Sequence, residues 1–467
     1  MINRRWLLGG SLALPAVANS PSSSQPLTGN SRMQTDNDRG PVAEGSFINI
    51  DFAKPTGKTV HPQLFGAATG GLGNDFFADC TIPNLQNLVR SLNLPLIRLN
   101  ALWMYDRSAK ALANSFVPHQ IANFVGNIGR MLPRNCTIVV GIQTDDQSYA
   151  AMQSYTRALV RYWRENSPIP IAFVECMNEP TVPSSTYNAC FSGMMAGAKA
   201  EDYLLKGSGP PTAGYSGNYT RSLIASQSIE SLGLLNYHQY LYCNGADSYP
   251  SDQQVCQGQT AKNSSRAITG GFRAAANTAA GTYAAALPVL CGEYSIECGA
   301  WSGEKRTQTP VGACFLVSTL MKAAATSPVP AWGAVWDLYN DEGAGYNLIS
   351  SPPAMICGAQ YFTMQRLIAT MPGQLVSSSA QADLVAAWAT GNDTGGFGVA
   401  IVNAGVSAKS GRVALSRWPG NSTGNATIRK WELSSASPRG TTTPVSVSSG
   451  MTADITLPPE SVVILSP

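Results

Sequence analysis

Two patterns of hydrophobic and polar positions divide the chain. Between residues 59 and 373, short apolar runs alternate with longer segments in which apolar residues recur every three or four positions. The short runs predict strands, and the longer segments predict helices. After AQYFTMQRLIATMPG (359–373), short runs of alternating apolar and polar residues are separated by Gly, Asn, Ser and Pro. This second pattern is typical of an all-β module.

The first region contains eight strand-and-helix units. Strands that alternate with helices indicate a parallel sheet, and eight units favour a (β/α)8 TIM barrel over an open sheet. The fifth unit is the least clear, and we interpret much of 181–220 as loops. The predicted strands are LFGAAT (64–69), LIRLN (96–100), TIVVGIQT (137–144), IAFVECMNE (171–179), DYLLKGS (202–208), LLNYHQYLY (234–242), PVLCGEYS (288–295) and GAVWDLYN (333–340).

These patterns define the expected domains of an α/β protein. Residues 59–373 form the barrel, and residues 374–467 form a C-terminal antiparallel β-sandwich. The strand SFINIDF, within residues 46–58, is expected to join the sandwich. Residues 19–45 are rich in Ser, Pro, Asn and Gly, which predicts a disordered linker.

The N-terminus has the features of an export signal at residues 1–18. Two arginines, Arg4 and Arg5, precede an uncharged apolar run that ends in Ala16-Val17-Ala18, a small-x-small cleavage pattern. The order of these features resembles a twin-arginine signal and predicts a periplasmic or secreted protein. The run is too short to span a bilayer, and no later segment is long and apolar enough. The alternative is a disordered N-terminus that contains two arginines by chance.

Charge and cysteine content narrow the function classes. The net charge is +3 and only 13% of residues are charged, so no basic surface for nucleic acid is expected. Ten cysteines would suit an oxidising compartment, and Cys243 and Cys256, which flank one polar loop, are the best candidates for a disulfide. Three histidines and no CxxC motif argue against zinc, so we expect neither a metal nor a cofactor.

Two predicted strands end on a glutamate. VECMNEPTV (174–182) ends the fourth strand at Asn178-Glu179-Pro180, and the seventh strand ends at Glu293. Catalytic groups of a (β/α)8 barrel lie at the carboxyl ends of its strands, so these two carboxylates should face each other across the mouth. Two carboxyl groups about 5–5.5 Å apart are typical of retaining glycoside hydrolysis.

Other polar and aromatic residues occur on the same strands. Arg98 interrupts an apolar strand, which is costly unless it pairs with a carboxylate. Arg98 and Asn100, two positions on, are candidates to contact a substrate, and so is Trp103, which is either a sugar platform or a packing residue. The sixth strand carries His238 and Tyr240, and the eighth carries Trp336, all candidates to contact a substrate.

Two further glutamates have structural interpretations. Glu175 lies within the fourth strand, where a carboxylate should be buried and hydrogen-bonded. Glu297 follows the seventh strand and is a rival to Glu293, but its position in a loop predicts a solvated residue at the rim. Gln143, Asp145 and Asp146 follow the third strand and are equally compatible with substrate contacts and with loop caps.

Together these residues resemble the clan A glycoside hydrolases. The resemblance rests on Glu175-x-x-Asn178-Glu179-Pro180, His238-x-Tyr240, Gly292-Glu293-Tyr294 and Trp336, and it covers residues 46–467. The glutamate three positions before the asparagine is similar to family 39, and families 79 and 30 share much of the pattern. All three families carry a β-sandwich after the barrel. Met177 departs from family 39, which often has Trp there.

The resemblance implies a role for each residue. Glu179 would be the general acid/base and Glu293 the nucleophile, with Arg98 keeping the nucleophile ionised. Asn178 would bind the 2-hydroxyl of the sugar, His238 and Tyr240 would line the sugar, and Trp336 would stack on its apolar face.

The expected function is an exported retaining β-glycoside hydrolase that acts on a β-linked oligo- or polysaccharide. The alternatives are a carbohydrate-binding protein without catalysis and a metal-assisted hydrolase. The sequence leaves xylose, glucose, arabinose and glucuronic acid open, and it does not decide between exo and endo action.

Overall fold

The computed structural model describes residues 46–70, 75–100, 105–106, 111–242, 249–259, 268–298, 304–340, 347–351, 355–392, 395–418, 426–448 and 451–467. The predicted signal and linker, Trp103 and Cys243 lie outside the described residues. Within these ranges we find no helix with the length and apolar character that a bilayer span requires.

The helices and strands alternate through the first region and give way to strands alone. The strands are β1 (Ser46–Val60), β2 (Gly66–Thr69), β3 (Leu96–Leu99), β4 (Tyr105–Asp106), β5 (Ala111–Leu112), β6 (Thr137–Ile142), β7 (Phe173–Cys176), β8 (Lys206–Ser208), β9 (Thr212–Ala213), β10 (Leu232–His238), β11 (Val289–Tyr294), β12 (Ala331–Val335), β13 (Tyr339–Asn340), β14 (Ile349–Ser350), β15 (Gly373–Ala380), β16 (Val385–Gly391), β17 (Phe397–Asn403), β18 (Lys409–Ser416), β19 (Ala426–Ser434), β20 (Ser437–Val447), β21 (Thr452–Leu457) and β22 (Ser461–Ser466). The helices are α1 (Asp75–Asp79), α2 (Pro83–Leu92), α3 (Ala122–Met131), α4 (Tyr149–Asn166), α5 (Ser184–Glu201), α6 (Gly217–Ser226), α7 (Asp252–Cys256), α8 (Ile268–Ala279), α9 (Pro310–Thr326) and α10 (Ala359–Thr370).

Eight parallel strands close into a barrel, which confirms the predicted (β/α)8 fold. The strand order is β2-β3-β6-β7-β8-β10-β11-β12, and β12 pairs with β2 to complete the circle. Alternate residues face inward, as the pleat of a strand requires. One inward-facing layer is fully apolar and fills the barrel below its mouth: Ala68, Leu96, Val139, Leu234, Leu290 and Ala334.

One segment that we interpreted as a loop is a helix. SSTYNACFSGMM lies in α5, which runs from Ser184 to Glu201 and packs on α4. Gly193 explains why sequence patterning missed it, because this glycine lowers helix propensity yet allows the close approach of the two helices. A Cβ there would lie 2.2 Å from the carbonyl oxygen of Tyr149.

The second region is a nine-stranded sheet in the order β20-β19-β22-β17-β16-β15-β1-β18-β21. Its pairs are antiparallel except for β1 with β18, and β1 also pairs with β15, so the N-terminal strand completes the C-terminal module. Strand β22 shows why the two regions pack together. Val463 and Leu465 join the sandwich core, whereas Val462 and Ile464 face the barrel core.

The predicted Cys243–Cys256 disulfide is wrong. Cys256 is a free thiol and is fully buried at the end of α7. The polar segment before it hides a helical turn that directs Cys256 inward toward α9, where Cys314 is also free and buried.

Candidate active site

The chain after β7 makes a sharp turn that presents Glu179 at the barrel mouth. Met177 and Glu179 both adopt positive φ angles, 60° and 45°, in the left-handed region that side chains rarely occupy. Backbone bonds hold this turn, because Met177 N donates to Ile142 O at 2.7 Å and Glu179 N donates to Pro211 O at 3.0 Å. Such conformations persist only where their surroundings impose them, and they cluster at functional sites. The Glu179 side chain remains 38% exposed.

A β-bulge in β11 presents Glu293 at the same mouth. Tyr237 of β10 lies opposite Cys291 of β11, but His238 lies opposite Glu293, so Gly292 is an extra residue. Simple alternation from the inward-facing Leu290 would turn Glu293 outward, and the bulge turns it inward. Gly292 fits because it approaches Asn236 so closely that a Cβ would lie 2.5 Å from Asn236 Oδ1.

The two strand ends bring the carboxylates together around a histidine. One oxygen each of Glu179 and Glu293 and one nitrogen of His238 all lie within 4.8 Å of one another. His238 Nδ1 is 2.9 Å from Glu179 Oε1 and 3.6 Å from Glu293 Oε2. His238 is fully buried and lies against both carboxylates.

Arg98 connects both strand ends from inside the barrel. Its Nη1 donates to Glu293 Oε1 at 2.9 Å, and its Nη2 donates to Asn178 Oδ1 at 2.9 Å. Its Nε donates to Glu175 Oε1 at 2.8 Å. The guanidinium is fully buried and uses its planar array of donors on three side chains at once.

Glu175 is buried and hydrogen-bonded, as the sequence indicates for a carboxylate within a strand. Its Oε2 accepts hydrogen bonds from Ser208 Oγ at 2.9 Å and from Asn236 Nδ2. Sequence reasoning missed Ser208 and Asn236. A signal was available for Asn236, which is an amide two positions before His238 and therefore on the same face of an apolar strand.

Two more donors complete the surroundings of Glu293. Asn100 Nδ2 donates to Oε1 and Tyr240 OH donates to Oε2, each at 2.9 Å. With Arg98 these make three donors on one carboxylate that is only 5% exposed.

The electrostatics of Glu179 and His238 differ from those of the Arg98 network. Burial raises the pKa of Glu179 above its usual range, and the positive charge of Arg98 offsets only part of this effect. Burial lowers the pKa of His238 to about 4, so its imidazole is neutral at pH 7. The site therefore combines a carboxyl group that tends to keep its proton with a carboxylate surrounded by donors.

Trp336 lies beside this group, directly after β12. Its half-buried indole packs on the inward-facing apolar layer of the barrel, and its backbone N donates to Tyr294 O at 2.9 Å. Trp103 was also a candidate for the substrate site, but it lies outside the described residues.

The expected rim position of Glu297 is wrong. This residue is fully buried, because the chain after β11 continues to pair with the chain after β10 and Tyr242 bridges to Glu297. Strand β10 ends at His238, but the chain beyond it still pairs with the chain after β11 as far as Tyr242, which is where the predicted sixth strand ends.

The spacing of Glu179, His238 and Glu293 could also hold a metal ion. The charge around the site disfavours this arrangement, since the Arg98 guanidinium already contacts Glu293. A cation bound to Glu293 would have to compete with that contact and with the donors from Asn100 and Tyr240.

Comparison with solved structures gives the fold relatives of this chain. A β-xylosidase from Caulobacter crescentus CB15 matches with a TM-score of 0.66 and 14% identity, over 90% of this chain and 98% of the other. A GH39 enzyme from Xanthomonas axonopodis pv. citri matches with a TM-score of 0.65 and 13% identity, over 91% and 97%. A family 51 α-L-arabinofuranosidase from Bifidobacterium longum matches with a TM-score of 0.65 and 14% identity, over 91% and 100%.

These matches show that the chain shares its fold, including both the barrel and the sheet domain, with glycoside hydrolases of clan A. No protein-family model matches the sequence, and no curated protein matches it.

Proposed function

We propose that the protein is an exported retaining β-glycoside hydrolase that acts on a β-linked oligo- or polysaccharide. The observation that carries the proposal is the carboxylate pair at the mouth, with oxygens of Glu179 and Glu293 within 4.8 Å of each other. Inverting enzymes need about 6.5–9.5 Å between the two carboxyl groups to admit a water, whereas retaining enzymes have them about 5–5.5 Å apart. The observed spacing supports direct attack on the sugar by one carboxylate.

The surroundings of the pair support an assignment of roles. Glu293, with its three donors, is the nucleophile: its carboxylate attacks the anomeric carbon. Glu179, whose pKa is raised by burial, is the acid and gives its proton to the departing glycosidic oxygen. This step breaks the glycosidic bond, forms an ester between the sugar and Glu293, and leaves Glu179 ionised.

In the second step, Glu179 acts as a base. The Glu179 carboxylate takes a proton from water, and the resulting hydroxide attacks the anomeric carbon. The ester to Glu293 breaks, and the sugar leaves with its original anomeric configuration. Glu179 regains its proton, so the site returns to its starting state.

Three neighbours of the pair have proposed roles in sugar binding. Because a guanidinium only donates hydrogen bonds, Arg98 fixes Asn178 Oδ1 toward itself and leaves the Asn178 amide NH2 for the sugar 2-hydroxyl. Trp336 offers an aromatic surface for the sugar ring. His238 is neutral and lies against both carboxylates, where it limits the space for the bound ring.

Activity of the wild-type protein tests the proposal. The full chain is purified and tested on p-nitrophenyl glycosides of xylose, glucose, arabinose and glucuronic acid, together with soluble polysaccharides of the same sugars. NMR of the first product formed gives its anomeric configuration. We expect hydrolysis of at least one β-linked substrate with retention. An inverted product, or turnover that disappears after treatment with a chelator, would contradict the proposed mechanism.

A binding protein without catalysis gives a different result. Affinity electrophoresis in gels containing the same polysaccharides would then show retardation without turnover in solution. Export is tested separately: antibody detection in cell fractions should find the protein in the periplasm or medium, and replacing Arg4 and Arg5 by lysine should retain it inside the cell.

A further inference from the structure

A layer of buried polar side chains lies directly beneath the carboxylate pair. Glu175, Ser208 and Asn236 come from β7, β8 and β10, and each is at most 3% exposed. Glu175 contacts the Arg98 guanidinium, and Ser208 and Asn236 donate hydrogen bonds to Glu175. Burying two opposite charges here is costly unless their hydrogen bonds are complete, so the layer needs a reason beyond packing.

Glu175 links this layer to Arg98 and has all its oxygens engaged. Its Oε1 lies 2.6 Å from Arg98 Nη2 and 2.8 Å from Arg98 Nε, and its Oε2 accepts from Ser208 and Asn236. Oε2 of the carboxylate is thus held by Ser208 and Asn236, while Oε1 binds the guanidinium. Only a group with two equivalent acceptor oxygens can do both, because every one of its partners is a donor.

Arg98 in turn hydrogen-bonds to residues at the two strand ends. Its Nη2 donates to Asn178, beside Glu179, and its Nη1 donates to Glu293. A rotation of the guanidinium would therefore displace a substrate-facing amide and the nucleophile together. We propose that Glu175 is a positioning residue: it orients Arg98 toward Asn178 and Glu293, and its negative charge balances the positive charge that Arg98 brings to the site.

The charges that face Glu179 determine the sign of the expected effect. Arg98 is positive, Glu293 lies within 4.8 Å, and the neutral His238 contacts Glu179 Oε1. With Glu175 in place, Arg98 faces two carboxylates, Glu175 and Glu293. Removing the Glu175 charge leaves Arg98 with one carboxylate partner, which favours ionisation of Glu179 and lowers its pKa.

The decisive experiment titrates Glu179 without substrate. The full chain is labelled with [5-13C]glutamate, the Glu179 signal is assigned by its absence in Glu179→Gln, and its chemical shift is followed with pH in wild type and in Glu175→Gln. We expect Glu179 to titrate at lower pH in Glu175→Gln. An unchanged titration in a folded Glu175→Gln protein overturns the proposal.

Two further variants separate charge from orientation. Glu175→Asp keeps the charge but shortens the side chain, so Glu179 should titrate as in wild type. Glu201→Gln is the matched control, because Glu201 also pairs with arginines, Arg157 and Arg161, but on the outer helices α4 and α5. It should leave the titration of Glu179 unchanged.

Activity gives the second readout and rests on the proposed function. On a substrate that the wild type hydrolyses, kcat of Glu175→Gln and Glu175→Asp should fall about 10- to 100-fold, the scale of groups that orient site residues from behind, with little change in KM. Glu201→Gln should keep wild-type kcat. If Glu175→Gln does not fold, Glu175→Asp carries this test, and wild-type kcat in that variant overturns the positioning role. Because the titration uses no substrate, a failed proposed function and a failed inference give different results.

Discussion

Strands β7 and β11 both end on a glutamate, but their ends are built differently. The chain after β7 reaches Glu179 through a turn with two residues in the left-handed region, Met177 and Glu179 itself. Strand β11 keeps its extended path and reaches Glu293 through a bulge at Gly292. The turn leaves the Glu179 side chain 38% exposed, whereas the Glu293 side chain is only 6% exposed.

The difference in exposure matches a difference in partners. Glu293 accepts hydrogen bonds from Arg98, Asn100 and Tyr240. Glu179 has His238 as its side-chain partner at 2.9 Å, and burial raises its pKa. Desolvation favours the protonated form of Glu179, whereas Glu293 is held by three donors, so two identical residues have different surroundings. The following variants test that comparison.

Glu293→Gln should have the largest effect. It removes the attacking oxygen, so kcat should fall by at least about four orders of magnitude, as when a covalent nucleophile is removed from other hydrolases. Initial rates on the best p-nitrophenyl glycoside measure this loss, and thermal melting checks the fold. A variant that keeps a tenth of wild-type kcat would show that Glu293 is not the nucleophile.

Glu179→Gln should have a smaller effect that depends on the substrate. Loss of general acid–base catalysis costs about 10²–10⁴-fold, with less loss of the first step when the leaving group is activated. Wild-type activity should fall at high pH as Glu179 loses its proton, and the variant should lack this alkaline limb.

Azide distinguishes the two carboxylates by the product they give. In Glu179→Gln, azide attacks the ester on Glu293 and should restore turnover as a glycosyl azide of retained configuration. In Glu293→Gln, azide can only replace the nucleophile and gives the inverted configuration. NMR of the azide products gives their configuration. An inverted product from Glu179→Gln and a retained one from Glu293→Gln would exchange the assigned roles.

The sequence predicted the fold and the strand ends but not how those ends are built. Short apolar runs between helical patterns identified the barrel strands, and the polar residues at their ends lie together at the mouth. Neither the bulge at Gly292 nor the left-handed turn at Met177 has a local pattern that alternation could reveal. Both depend on contacts with neighbouring strands, from Asn236 and from Ile142. The burial of Glu297 was missed for the same reason, because the pairing that covers it is non-local.

Tyr240→Phe tests the donors around Glu293 one at a time. It removes the hydroxyl that donates to Glu293 Oε2 and keeps the ring. A hydrogen bond to a charged group contributes about 1.5–3 kcal/mol, so kcat should fall roughly 10- to 100-fold. Tyr242→Phe is the matched control, because its hydroxyl donates to Glu304 and not to either catalytic carboxylate. Equal losses in both variants would point to packing as the cause.

His238→Asn should have the smallest effect, and it should appear in stability rather than in the choice of nucleophile. Burial lowers the pKa of His238 to about 4, below the value of about 6.5 in an unfolded chain. Between these values the unfolded state binds a proton that the folded state excludes, so the wild type loses stability as pH falls from about 6.5 toward 4.

The effect at pH 5.5 should be about 1 kcal/mol relative to pH 7.5. Urea unfolding of wild type and His238→Asn at both pH values measures it. The variant is expected to be less stable at pH 7.5, because it loses the imidazole that contacts both carboxylates. Its stability should then fall less on acidification, so the two curves should converge. If the unfolding free energies of the two proteins fell in parallel with pH, His238 would have the same pKa in the folded and unfolded states. The contrast between the two carboxylates would then have to arise without a neutral histidine beside them.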